Sequence, residues 1–93
     1  MSGASSDALA AKLAELSRRF ASRAADEHSA IKRALDNDDR TAIAQRAHTL
    51  AGNAGMFGQP EIGAAALELE EAAETGNELE PAASRLLGLL AAL

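Results

Sequence analysis

The chain has 93 residues, a formal net charge of −5 and no cysteine. That length accommodates one domain, residues 1–93, and a chain this short buries only about 60–65% of its unfolded surface, which favours a functional surface over a deep pocket. Without cysteine there are no disulfides and no thiolate metal sites, and a pI near 4.9 argues against the basic footprint that nucleic-acid binding normally needs. No run of apolar residues is long enough to span a membrane, and Met1 to Asp7 is small and polar, unlike a signal peptide. A cytoplasmic protein with no membrane or nucleic-acid partner is the expectation.

Alanine (24) and leucine (13) dominate, with no valine, three isoleucines and three threonines. Alanine and leucine lose little on entering a helix, whereas strands favour the β-branched and aromatic residues that are nearly missing, so the fold class is all-α. Ser5 or Ser6 can cap a first helix with Asp7 in its first turn. Leu9, Leu13, Leu16 and Phe20 then form one apolar stripe, continued by Ala24, His28, Ile31 and Leu35. Periodicity does not decide between one long helix to about residue 36 and a break near Ser22 to Asp26, which would add a short N-terminal helix.

Asp36-Asn37-Asp38-Asp39 interrupts the pattern, and Asp38 or Asp39 can cap the next helix. The second stripe is Ile43, Ala47, Leu50, Ala54 and Phe57, ended by Gly58; Pro60 suits the first turn of the third helix. That helix turns Ile62, Ala66, Leu69 and Ala73 inward and stops at Gly76. Asn77 to Pro81 make a turn, and Leu86, Leu89, Leu90 and Leu93 form a last stripe. Brief connections between such helices predict an antiparallel four-helix bundle. The last stripe can complete a monomer core or form a dimer seam, so the oligomeric state stays open.

On a wheel at 3.6 residues per turn, the apolar set of residues 41–57 falls within about 80°, and His48 lies roughly 140° from its middle. His48 therefore faces outward, together with Thr41, Gln45, Gly52 and Gly55. Each of those glycines costs a helix interior about 0.8–1 kcal/mol relative to alanine. Placed one and two turns after His48, they leave its imidazole above bare backbone, open to close approach by another protein. They could equally mark a kink or a tight helix crossing, and a lone exposed histidine is by default a solvated one; spacing alone does not choose.

The stretch His48-Thr49-Leu50-Ala51-Gly52-Asn53-Ala54-Gly55-Met56-Phe57-Gly58 resembles the histidine-containing phosphotransfer (HPt) domain, whose motif reads His-x-Leu-Lys-Gly followed by a small-residue turn and a further glycine. His48, Leu50, Gly52 and Gly58 match it. Ile62, Ala66, Leu69 and Glu70 resemble the apolar positions and the Leu-Glu pair of the family's next helix, while Phe20, Ile31, Leu35 and Asp38-Asp39 resemble its lead-in. The likeness covers about residues 15–76. One position departs from it. The family's lysine, which helps hold the phosphoryl group, is Ala51 here, leaving Gln45, one turn before His48, as a donor to the phosphoryl oxygens.

The resemblance implies that His48 accepts a phosphoryl group from the aspartyl phosphate of a response-regulator receiver domain, and that the transfer is reversible onto a second receiver. A neutral imidazole, with an unperturbed pKa of about 6.5, is a competent nucleophile for this. The chain has no glycine-rich nucleotide loop and no carboxylate cluster placed beside His48 for magnesium. No metal site and no stably bound cofactor are expected, and the magnesium belongs to the receiver. The expected partners are a receiver domain, a hybrid histidine kinase or both, docking over Thr41, Gln45, Ala51, Gly52 and Gly55, with Thr49 and Met56 beside them. The alternative is a non-phosphorylated helical adaptor, a degenerate HPt that sequesters a receiver.

Other residues read structurally. His28 is a packing or boundary residue, Glu68, Glu70, Glu71 and Glu74 a solvated acidic face, and Arg18, Arg19 and Arg23 a solvated basic one that could also meet an acidic receiver. Asp36, Asp38 and Asp39 lack the glycine and distal glutamate of a calcium loop, so turn and cap chemistry accounts for them.

Overall fold

The protein is described from a computed structural model covering residues 2–56 and 58–93, with side chains from residue 6 onward. Among the described residues there are four helices and no strand: α1 (Ser2–Asp36), α2 (Arg40–Met56), α3 (Pro60–Thr75) and α4 (Glu80–Ala91). The α1 helix is continuous and begins at Ser2. The small residues near Ser22 to Asp26 therefore do not break it, there is no extra N-terminal helix, and Ser5 and Ser6 lie inside it rather than capping it. Alanines around that point hold the helix at little entropic cost.

The connections obey local chemistry. Asp38 takes the left-handed conformation (φ 53°) that lets α1 end, with the Asp39 N–H donating to the Ala34 carbonyl at 3.0 Å. Asp39 is the cap of α2: its Oδ1 accepts the Ala42 N–H at 3.1 Å. Gly58 and Gly76 both have positive φ, at 71° and 77°, where a side chain would be strained. Pro60 opens α3 as expected, and α4 starts at Glu80, which puts Pro81 in its first turn rather than in the loop. The Arg40 guanidinium donates to the carbonyls of Ala72 and Asn77 at 3.1 and 3.0 Å, tying the start of α2 to the end of α3.

The helices pack in the cyclic order α1–α2–α3–α4. Ile31, Ile43, Leu69 and Leu86, one from each helix, are fully enclosed at the centre, joined by Phe20, Leu50, Ile62, Leu90 and many alanines. The expected inward sets of α2 and α3 are buried, apart from Phe57, which lies outside the described residues. In α4, Leu86 and Leu90 are buried and Leu89 is half-buried, while Leu93 is 47% exposed. His28 is half-buried, as a boundary residue should be. Among the described residues no polar or charged side chain is buried.

The first stripe behaves differently. Leu9 and Leu13 are 61% and 55% exposed, because a 35-residue helix is about 52 Å long while α2, with 17 residues, is about 25 Å. The N-terminal half of α1 therefore projects past the bundle. The molecule measures 54 × 20 × 18 Å with a radius of gyration of 15.1 Å, against roughly 12 Å for a compact chain of this length.

Candidate functional site

Burial of Ile43, Ala47, Leu50 and Ala54 fixes the rotation of α2 and turns His48 outward. Its side chain is 75% exposed, and its Nδ1 lies 2.8 Å from Oε2 of Glu70 on α3. The Glu70 side chain is only 18% exposed, so this glutamate does not belong to the solvated acidic face expected from the sequence. It is drawn into the α2–α3 groove by the same packing that buries Leu69 beside it. A carboxylate at that distance favours the proton on Nδ1 and leaves the lone pair on Nε2, the nitrogen free to react.

The groove is narrow because the contact surfaces are small. Gly63 on α3 is buried, and a Cβ there would sit 3.6 Å from the Ala51 carbonyl oxygen and 3.8 Å from the Ala54 Cβ. Ala51 accordingly faces this contact and is half-buried against the core. It is the one expected docking residue that does not lie on the outward face. Thr41, Gln45, Gly52 and Gly55 share the outward side of α2 with His48, and all four are exposed. A Cβ built on Gly52 or Gly55 meets nothing within 4 Å, which removes the tight helix crossing as a reason for either glycine. Gln45 and Thr49 border a cleft between α1 and α2 that Glu27, Ala42 and Arg46 complete.

Leu67, one turn before Glu70 on α3, is 56% exposed, and Met56 at the end of α2 is 78% exposed. Three arginines of the bundle have partners of their own: Arg46 lies 3.6 Å from Glu27, Arg85 3.0 Å from Glu68, and Arg40 donates to carbonyl oxygens. The sequence pattern did not mark Glu70 or Leu67 as site residues. Glu70 is 22 positions from His48, and nothing in a one-dimensional pattern distinguishes it from its acidic neighbours. An isolated leucine on the outward side of α3 was the available signal for Leu67. Among the described residues no group of three histidines, aspartates or glutamates is arranged to hold a metal ion, and no helix is long and apolar enough to cross a membrane.

The site is thus an exposed histidine, held by a carboxylate of the neighbouring helix and followed along α2 by two glycines with open space above them. The Hpt domain family model matches residues 15–93, and the chain belongs to that family of helical bundles, whose members take part in histidine phosphotransfer with receiver domains and kinases. No curated protein and no solved structure is significantly similar to the chain.

Proposed function

We propose that the chain is a phosphocarrier of a multistep phosphorelay, with His48 as the residue that carries the phosphoryl group between receiver-domain aspartates. The single observation behind this is the 2.8 Å approach of Glu70 Oε2 to His48 Nδ1 on a side chain that is 75% exposed. In the transfer, the Nε2 lone pair forms the N–P bond as the acyl O–P bond of the aspartyl phosphate breaks, and the aspartate carboxylate leaves with that electron pair. Nε2 carries no proton, so none has to be removed. The ring becomes cationic, and Glu70 compensates the positive charge that builds on it.

Phosphoryl transfer needs positioning and charge neutralisation more than covalent help. A magnesium ion held by the receiver would supply that neutralisation; this chain supplies the nucleophile, its tautomer and an unobstructed approach over Gly52 and Gly55. Gln45, one turn before His48, donates to the phosphoryl oxygens. The chain works as a carrier rather than as a self-sufficient kinase, and a cytoplasmic location suits that role.

The test is transfer from a panel of phosphorylated receiver domains to the wild type and to His48→Gln. Acid-labile label on the wild type alone supports the proposal. Ala51, in the place of the family's lysine, favours a second reading, a non-transferring adaptor; binding of a receiver without any label on His48 would establish it.

A further inference from the structure

The projecting half of α1 has a polarity that the bundle does not explain. Around its apolar stripe (Leu9, Leu13, Leu16, Phe20), Lys12, Arg19 and Arg23 lie about 50–90° to one side, whereas Ala10, Ala14, Ser17 and Ala21 lie about 70–130° to the other. Arg23 shares a crevice with Leu50 and Asn53 of α2, while Ala21 and Ala25 share one with Leu90 and Ala91 of α4. The cationic edge is therefore on the α2 side, with Arg19 held 2.7 Å from Glu15 one turn before it. Residues 6–23 hold four cations and two carboxylates, a charge of +2, whereas the remaining residues, with five cations and twelve carboxylates, carry −7, which together give the net −5.

The distances suit one partner covering both this edge and His48. Arg46 meets Glu27, which sets His48 level with about residue 25 of the antiparallel α1; Arg23, Arg19, Leu13 and Lys12 are then about 3, 9, 18 and 20 Å further along the axis. A globular domain of about 120 residues has a radius near 17 Å. Centred over His48, it overlies Arg23 and Arg19, while Leu13 and Lys12 lie about 1 and 3 Å beyond that radius, within reach of side chains at its rim. A partner face that holds magnesium through carboxylates around a phosphorylated aspartate is acidic, the complement of this edge. A second copy fits less well: in an antiparallel pairing of the two stripes, Lys12 and Arg19 would face their own counterparts.

We infer that residues 6–23 of α1 form a second docking arm for the acidic receiver domain that exchanges phosphoryl groups with His48, with Arg19 and Arg23 steering its approach and Leu13 and Leu16 giving it an apolar contact. This rests on the reading of His48 as partner to a receiver. Charges at the rim of an interface act mainly on association rate and salt dependence, and an apolar contact mainly on dissociation.

The experiment titrates the full chain calorimetrically with a panel of receiver domains held as beryllofluoride adducts, at low and high salt, alongside the transfer assay. Arg19→Glu is expected to weaken binding five- to tenfold at low salt, with the difference shrinking at high salt. Leu13→Ser is expected to weaken it threefold or more at both. Lys32→Glu, the same charge change on the side of α1 away from α2, should weaken binding less than twofold. All three positions are exposed, and equal helical circular dichroism checks that the fold is kept. Unchanged affinity in both test variants overturns the inference while leaving transfer to His48 intact. Loss of self-association in Leu13→Ser, with receiver affinity unchanged, overturns it in favour of a second copy, and wild type that binds no receiver overturns it outright. If the variants weaken binding but no receiver ever labels His48, the docking arm stands and the phosphocarrier reading falls.

Discussion

Replacing Glu70 with alanine separates orientation of the His48 ring from stability. In the resting protein the pair is largely solvated on the histidine side, with 75% of that side chain exposed, and an exposed pair of this kind contributes about 0.2–1 kcal/mol. Loss of the carboxylate should therefore lower the unfolding free energy by less than about 1 kcal/mol. Transfer places additional positive charge on the ring about 4 Å from the carboxylate, where Coulomb attraction is about 1 kcal/mol in bulk water and about 4 kcal/mol at an effective dielectric of 20. Docking of a receiver excludes part of the water, so a loss of about 1.5–3 kcal/mol is expected, a factor of about ten to a hundred and fifty in rate.

The assay is the single-turnover rate from a saturating phosphorylated receiver, with ¹⁵N chemical shifts of the imidazole read in parallel. Glu70→Ala should lose both the rate and the preference for the proton on Nδ1. Glu70→Gln, which keeps an acceptor but not the charge, should fall between the alanine variant and wild type. Rates of both variants within twofold of wild type, with the tautomer unchanged, would make Glu70 a bystander in the groove and remove its part in the transfer.

The two glycines allow a test in which stability and function move in opposite directions. A Cβ on Gly52 meets nothing within 4 Å, so Gly52→Ala should stabilise the helix by about 0.5–1 kcal/mol; thermal melts by far-ultraviolet circular dichroism show this, the chain having neither Trp nor Tyr. Gly52→Gln should keep the fold and suppress transfer at least tenfold, and undiminished transfer would rule out close approach over the glycines. Ala51→Lys should prolong the lifetime of phosphorylated His48 or speed its loading, tracked as acid-labile label over time; no change in either would mean that the partner or Gln45 already meets that need. Leu69 is fully enclosed, and Leu69→Ala should cost about 2–5 kcal/mol, read from a denaturant titration, and at a milder temperature should displace Glu70 as well.

The residue pattern alone determined the helical class, the inward faces of α2 and α3 and the outward direction of His48. Each obeys local rules: alanine and leucine favour helix, apolar residues recur with the helical period, and a side chain opposite the stripe faces solvent. Terminators such as Gly58 and Gly76 were legible for the same reason, since their left-handed backbone is a property of the glycine itself. Tertiary structure decided what depends on two helices at once. Glu70 becomes the partner of His48 only when α3 lies against α2 through Gly63 and Ala51, and that same contact leaves Ala51 half-buried instead of exposed like Gly52. The fate of Leu9 and Leu13 was likewise undecidable along the chain. A stripe of leucines has the same period whether or not a neighbour covers it, and only the lengths of the other three helices leave this half of α1 without one.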